Sequence, residues 1–470
     1  MMLLLLLCAL DTTFHQVKKA SSVHTQSAIG SGDITRHNLL YSRSKWTKNL
    51  VYTMKLVNGL VVALFCSLNV GTNAFRSLGS RALISSRAFS SSSALSMCQP
   101  QGQVTDFGDS GGFKKAPEVV ALRKEALERI LGPEVAAGCE VKEADGGANN
   151  IMDFITTAEG KKYVLRIYNN GCNSPVIDFE DATISKLQEV IKTSPLSFAV
   201  PTAVPSKENG KTHLVLASGA EGIMFDFIPG ELPKKRFAKS IGAACGELVN
   251  ALAKCDLSPT YTIDKQPNTR FLDIYAQHWM TNRENFFGAI AEREEFNATP
   301  ETRKYADLLG EEVKAMEIAL QKAIDSKLPE QLIHADLHYD NVLCVDGKVS
   351  GLLDFEFSAI DWRACEIAVG LSKYAGEAEA LEYFSDYCDG YATTSTLTKP
   401  EIEFIPDLII LRILSNVVFF VGRGISGEDT FDALTTRAKM YYERIQWIKD
   451  NRQKIVDICS KVEAKQDISV

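Results

Sequence analysis

The twenty-seven residues from Leu332 to Ser358, LIHADLHYDNVLCVDGKVSGLLDFEFS, constrain this chain more than any other stretch. Asp336 and Asn341 stand five apart, and Asn341 and Asp354 thirteen apart. A loop followed by a tight β-hairpin turning at Asp346-Gly347-Lys348 returns a residue thirteen positions on to the mouth of the same cleft. The amide oxygen of Asn341 and the carboxylate of Asp354 can then converge on one small hard cation. A few protein oxygens, with water and substrate phosphates completing the shell, are what Mg²⁺ prefers. Asp336 is left to face a hydroxyl. These are the parts of phosphoryl transfer, in which positioning and charge neutralisation supply nearly all of the catalysis. Asp336 is expected to orient the acceptor hydroxyl and take its proton, while Asn341 and Asp354 hold the metal against the phosphates of ATP. One acidic residue in a polar loop reads equally well as turn chemistry. H-x-D-x-x-x-x-N followed by an apolar hairpin and L-D-F does not. A lone His beside such an Asp packs and hydrogen-bonds, so His334 is expected to brace the loop.

The stretch resembles the aminoglycoside phosphotransferase and choline kinase superfamily, which has H-x-D where protein kinases have H-R-D and commonly an acid in place of the Gly of D-F-G, as Glu356 stands here. From Leu332 through Leu371 it looks most like the Pseudomonas-type homoserine kinases. The resemblance covers about Lys115 to Ile455 and implies an α+β, two-lobed protein-kinase-like fold. A small antiparallel β lobe with its hinge is expected over 114–230, and a larger, mainly helical lobe carrying the catalytic loop over 231–460.

The first part of the chain has a different composition. From Ile34 to Thr105 there is no Asp or Glu, while Arg36, Arg43, Lys45, Lys48, Lys55, Arg76, Arg81 and Arg87 are all basic. Acid-free, basic, Ser-rich sequence has the character of a targeting peptide, and residues 1–98 are expected to form a disordered leader. Met54-Lys55, the apolar run Leu60 to Cys66 and the small residues Thr72 and Ala74 suit a signal peptide cleaved after Ala74, with Met54 the expected working start. Phe75 then opens a second basic, Ser-rich segment. This resembles the bipartite plastid presequences of diatoms and related algae, with mitochondrion or cytoplasm as the alternatives. The apolar run is well short of the roughly 20 residues that a spanning helix needs, so no stable membrane span is expected in the mature protein.

With the ten basic and two acidic residues of 1–97 set aside, 41 basic and 57 acidic residues remain, a formal net charge of −16. So acidic a body, with no basic patch interleaved with aromatics, argues against a nucleic-acid partner. The eleven cysteines include no C-x-x-C pair and read as reduced thiols rather than a disulfide framework or a zinc site.

Pro117 to Leu131 has apolar residues at helical spacing. Next come short strands around a polar turn containing Gly146 and Gly147, where backbone amides can approach phosphate closely. In Tyr163 to Tyr168 the side chains alternate, so Tyr163, Leu165 and Ile167 face one way and Arg166 the other. The resemblance places Arg166 where the superfamily keeps a phosphate-binding Lys; Arg grips phosphate with a planar fork but is not equivalent. Glu180, read as beginning a helix, is its expected ion-pair partner, the alternative being a first-turn acid that merely favours the helix dipole. After a Pro-rich strand region from Pro195 to Pro205, Met224, Asp226 and Phe227 fall where the family's hinge binds adenine through backbone groups.

Helices are expected over Ile241–Lys254, Phe271–Ala291 and Thr302–Ile324. The resemblance assigns Glu366 to bracing the metal loop. In the apolar helix Ile405 to Arg423, the residues Arg412, Asn416 and Arg423 are spaced by four and seven and share one face. They are placed either to line the acceptor pocket, Arg suiting a substrate carboxylate, or to form ordinary salt bridges.

The expected activity is transfer of phosphate from ATP, with Mg²⁺, to the hydroxyl of a small molecule such as homoserine, or, within the same superfamily, choline, ethanolamine, hydroxylysine or a sugar. Two other readings stand beside it. A protein kinase lacks support, because there is no full G-x-G-x-x-G, no V-A-I-K strand and no A-P-E segment. A nucleotide-binding scaffold has no need of a proton acceptor beside two metal ligands. Oligomeric state is not legible.

Overall fold

The computed structural model describes residues 117–144, 150–168 and 174–464; the leader expected over 1–98 and the turn glycines Gly146 and Gly147 lie outside them. Five antiparallel strands form the small lobe: β1 (Glu140–Glu143), β2 (Asn150–Thr156), β3 (Lys162–Tyr168), β4 (His213–Val215) and β5 (Glu221–Asp226), in the order β1-β2-β3-β5-β4. Alternation along β3 sorts its side chains to two faces. Leu165 and Ile167 join Ile151, Ile155 and Met224 against Ala126, Leu127 and Ile130 of helix α1 (Pro117–Leu131). On the other face Tyr168 joins Ile223 and Phe225 against Ile177, Phe179 and Ile184 of α3 (Ser174–Thr193), the short α2 (Pro133–Ala137) having followed α1. Full burial of one such aliphatic side chain contributes about 1.5–3 kcal/mol. Arg166 lies on the face toward α3, in a layer otherwise built to exclude water.

The large lobe is helical around two small sheets. Helices α4 (Ala238–Leu252), α5 (Arg283–Glu292), α6 (Glu294–Asn297) and α7 (Pro300–Asp325) precede β6 (Glu330–Ile333). The hairpin β7 (Val342–Val345) and β8 (Lys348–Leu352) follows, then β9 (Ala359–Trp362), which pairs with β6. Helices α8 (Ala364–Ser372), α9 (Ala380–Tyr391), α10 (Lys399–Ser426), α11 (Asp432–Asp450) and α12 (Arg452–Cys459) complete it. Asp346 and Gly347 both take positive φ, 50° and 77°, the turn geometry that matches the twist of a two-residue hairpin. Among the described residues α10 alone is long and apolar enough to cross a membrane; two-thirds of its most apolar stretch is buried inside the lobe, as a core helix.

The two lobes meet at Pro229-Gly230, where φ of Gly230 is 149° and a Cβ would fall 2.5 Å from Ser350 Oγ and 2.8 Å from Leu343 Cβ. Glu231 exchanges backbone hydrogen bonds with Cys344 (3.0 and 2.9 Å), and Ser350 Oγ donates to the Pro229 carbonyl (2.7 Å). The junction is therefore sewn onto the β7–β8 hairpin.

Three local expectations are corrected. The helix expected over Phe271–Ala291 is broken into a 3₁₀ turn, Ile274–Ala276, and α5. Thr281 Oγ1 donates to the His278 carbonyl (2.7 Å), and Asn282 caps α5 by accepting from the Asn285 N–H (2.9 Å), so side chains compete for the backbone between them. Helix α3 starts at Ser174, so Glu180 lies in its second turn and not at its start. The region Pro195–Pro205 forms only isolated bridges, Ala199 with Gly351 and Ala203 with Phe225.

Two buried carboxylates position the stretch around Asp336. Glu366, fully buried on α8, accepts the backbone N–H groups of His334 (2.6 Å) and Ala335 (3.2 Å) through one oxygen. Ala335 has φ 65°, a left-handed conformation that costs a residue with a Cβ about 1–2 kcal/mol and is held by those two bonds. Asp361 accepts from the N–H groups of Phe271 and Trp362 (2.7 Å each). Burial pushes its carboxyl up to about 6 in spite of these donors and of Arg270. Folded chain thus binds this proton more readily than unfolded chain, and the stability it confers is present below about pH 4 and lost as pH rises through about 6. The Asp361→Asn protein should accordingly melt below the parent by a margin that is larger near pH 4 than near pH 8; a margin that grows with pH contradicts this account. Glu366→Ala strands two N–H groups in a dry pocket and should cost about 2–5 kcal/mol in urea unfolding, with Glu366→Gln losing less than half of that.

Candidate active site

His334, at the end of β6, is held by three contacts. Its Nδ1 accepts the Asp336 N–H (3.3 Å), so Nε2 carries the proton and donates to the Leu353 carbonyl (2.9 Å). Its ring packs on Phe355 with centroids 4.5 Å apart. The residue ties the loop bearing Asp336 to the loop bearing Asp354. A second tie runs from the Leu353 N–H to the Asn341 carbonyl (2.9 Å).

Asn341 ends the 3₁₀ turn Tyr339–Asn341 and donates its amide nitrogen to the Asp336 carbonyl (2.9 Å) and to Asp336 Oδ2 (3.0 Å). Its amide oxygen is thereby directed away from Asp336. Asp336 Oδ1 is ion-paired to Arg412 Nη2 and lies 3.5 Å from His338 Nε2. Burial pushes the Asp336 carboxyl up, but Arg412 and His338 outweigh it and hold it well below the usual carboxylate range. It is ionised at any physiological pH.

Across the cleft, Arg166 gathers three carboxylates: Glu180 (3.2 Å), Asp354 (3.0 Å) and Glu356, the closest of them. Tyr168 donates to the second oxygen of Glu180 (2.6 Å), and the Arg166 guanidinium sits 4.7 Å from the Tyr168 ring centroid. Glu180 is therefore a buried partner of Arg166 and not an exposed acid at a helix start. Burial pushes both Glu180 and Glu356 up, because one guanidinium divided among three acids does not compensate for their removal from water. Asn150 Nδ2 donates to Glu356 (3.2 Å), and Asn268 Nδ2 donates to the carbonyls of Glu356 and Ser358 (2.8 Å each).

This arrangement suits a divalent cation and a polyphosphate. Asn341 and Asp354 offer only oxygen, the donor that Mg²⁺ takes. The carboxylates around Arg166 outnumber it by three to one, leaving negative charge for a cation to neutralise. Buried Arg166 Nε has no hydrogen-bond acceptor among the described residues. Asp354 itself has φ 69°, a left-handed posture at the head of the 3₁₀ turn Phe355–Phe357.

The hinge differs from expectation. The Met224 side chain is wholly buried in the small-lobe core, and its carbonyl accepts from Val204 (2.8 Å). The Asp226 N–H donates to Thr202 (2.9 Å) and the Phe227 N–H to Lys162 (3.3 Å), so neither amide is left for a base edge. The next N–H, that of Ile228, has no acceptor among the described residues.

On α10 the shared face is divided. Arg412 donates from Nη1 to Asn416 (2.9 Å) and faces Asp336, whereas Arg423 lies three turns on, bound to Asp429 (2.9 Å) and Glu428 (3.5 Å) over the Phe419 ring. Arg412 and Asn416 join the site; Arg423 makes ordinary salt bridges. Sequence reasoning missed His338, Asn150, Tyr168, Asn268 and Ile228. Only His338, two residues past Asp336, carried a local signal.

The family model described as phosphotransferase enzyme family matches residues 140–399. Homoserine kinase from Rhizobium meliloti is 25% identical over 306 residues, spanning 64% of this chain and 84% of that protein. Homoserine kinase from Chelativorans sp. is 30% identical over 266 residues, spanning 56% of this chain and 73% of that protein. Among solved structures, the microcompartment-associated aminopropanol kinase is 13% identical with a TM-score of 0.49, covering 72% of this chain and 98% of its own. Plasmodium vivax ethanolamine kinase is 16% identical with a TM-score of 0.46, covering 70% and 87%. With its family match spanning more than half the sequence and Asp336, Asn341 and Asp354 set within it, the chain belongs to the phosphotransferase enzyme family.

Proposed function

We propose that the chain transfers the γ-phosphoryl group of ATP to the hydroxyl of a small amino alcohol, and that homoserine is its acceptor. The observation that carries the reading is the pairing of an ionised, buried Asp336 with Asn341 on a loop tied directly to that of Asp354. Relatives named homoserine kinase, at 25–30% identity, support the choice of acceptor.

Arg166 binds the phosphates from above and Ile228 offers its free N–H to the base, with Gly146 and Gly147 placed by sequence at the phosphate turn. Asn341 and Asp354 hold Mg²⁺, which when bound neutralises charge building on the phosphate oxygens. Asp336 orients the acceptor hydroxyl and receives its proton as the acceptor oxygen bonds to the γ-phosphorus. The bond from that phosphorus to the bridging oxygen breaks, and ADP leaves with the electron pair. His334 and Glu366 keep the loop in place throughout.

The leader's composition supports delivery to a plastid. Residues 54–98 fused to a fluorescent protein should accumulate in plastids of an alga with bipartite import, and cytosolic or mitochondrial fluorescence refutes it. For the chemistry, protein beginning near Met97 is assayed with ATP and Mg²⁺ against homoserine, choline, ethanolamine, hydroxylysine and methylthioribose, with a protein substrate alongside. Homoserine should lead, and Asp336→Asn should reduce turnover by at least about 100-fold while the KM for ATP changes only a few-fold. Undiminished turnover removes Asp336 from the chemistry.

A further inference from the structure

The group expected to receive the acceptor's proton is already engaged. Asp336 Oδ2 accepts from Asn341 (3.0 Å), and Oδ1 carries the Arg412 ion pair with His338 at 3.5 Å. An acceptor hydroxyl can add to an unused lone pair of either oxygen, but at Oδ1 it shares the oxygen with a guanidinium that already neutralises its charge. Asn341 is fixed by a second bond to the Asp336 carbonyl (2.9 Å), and His338 by accepting the Asp340 N–H at Nδ1 (3.2 Å). Arg412 is the partner best placed to yield. It reaches Asp336 through one nitrogen, while Nη1 is anchored separately to Asn416 (2.9 Å) and the guanidinium lies 5.9 Å from the Phe271 ring centroid. Its side chain keeps 19% of its surface exposed, more than that of Asp336 at 12%.

What draws a guanidinium from one carboxylate at little cost is another carboxylate. Charge is conserved in the exchange, and the planar fork offers the incoming group the geometry it gave up. A neutral or cationic alcohol provides no such exchange and leaves either Arg412 on Asp336 or a buried charge without its partner.

We propose that Arg412 is a carboxylate-operated latch and the specificity-determining residue of the acceptor site. An acceptor carrying its own carboxylate takes the Nη2 edge of Arg412 and frees Asp336 Oδ1 for the acceptor hydroxyl, so the substrate class is hydroxy acids with an amino group rather than amino alcohols at large. The inference rests on the phosphotransfer reading above. It assigns selection to removal of an inhibitory contact as well as to binding.

The test compares homoserine with 3-aminopropan-1-ol, the same skeleton without its carboxylate, in the parent, Arg412→Lys and Arg412→Ala. The parent should favour homoserine by at least about 100-fold in kcat/KM, in line with sites whose buried polar groups reject an analogue lacking the matching group. In Arg412→Ala, homoserine should lose at least about 100-fold in kcat/KM, mainly through KM, and aminopropanol should lose at least about tenfold less, so that the preference narrows to about tenfold or less. Arg412→Lys should fall between them. Added formate should raise the parent's aminopropanol rate and leave that of Arg412→Ala unchanged.

An equal loss for both acceptors in a variant that melts like the parent reduces Arg412 to a structural brace and overturns the latch. So does a parent that uses aminopropanol, choline or ethanolamine as well as homoserine, which is also the outcome if nucleotide alone releases Arg412. That result leaves phosphotransfer standing. Activity on a different carboxylate-bearing alcohol, without homoserine, removes the homoserine assignment and keeps the latch. No transfer to any acceptor by folded protein removes both.

Discussion

A single guanidinium held away from water organises the cleft. Arg166 projects from the sheet face packed against α3, and the cost of burying its charge is offset by carboxylates arriving from a helix of the small lobe and from a loop of the large one. On the same face Tyr168, Ile223 and Phe225 pack around it. The lobes are thus joined at the front by charge and at the back by backbone, where Glu231 pairs with Cys344. Between these two seams lie the residues proposed for phosphate, metal and acceptor.

The same economy governs the loop carrying Asp336. A carboxylate proposed to accept a proton from a half-dry cleft has to remain charged, and the donors around it accomplish that. Arg412 and His338 outweigh burial, while Glu366 supports the backbone from below by accepting two N–H groups on one oxygen. The other oxygen of Glu366 has no partner among the described residues, so charge on this side chain serves the loop and nothing else in view. The strained backbone at Ala335 and Asp354 persists because hydrogen bonds on both sides determine it.

What the sequence made legible was whatever depended on local spacing. The hairpin turn at Asp346-Gly347, the long apolar helix of Arg412 and the alternation that sends Arg166 away from Leu165 all follow from period and turn chemistry. Contacts made across long separations were not legible. Glu356 was visible as an acid of unusual placement, but its engagement by Arg166, 190 residues earlier, has no local signature. The hinge illustrates the same limit, since whether an amide is free depends on Thr202 and Lys162, which the strand itself does not announce. The break between Ile274–Ala276 and α5 arose because the Thr281 hydroxyl binds the backbone of His278 and the His278 ring accepts the Met280 N–H, a competition that apolar spacing does not register. Family likeness supplied the lobes and the kind of reaction; the division of labour between Arg412 and Arg423 required coordinates.

The seam at Pro229-Gly230 has a mechanical consequence. Because the pivot is stitched to β7 and β8, and because Asn341 and Asp354 flank that hairpin on either side, the pivot and both oxygen donors travel as one rigid body. Arg166, on the small-lobe sheet, stands outside that body. Under the proposed function, parting of the lobes would separate Arg166 from Asp354 and Glu356 while Asn341 and Asp354 keep their places relative to one another.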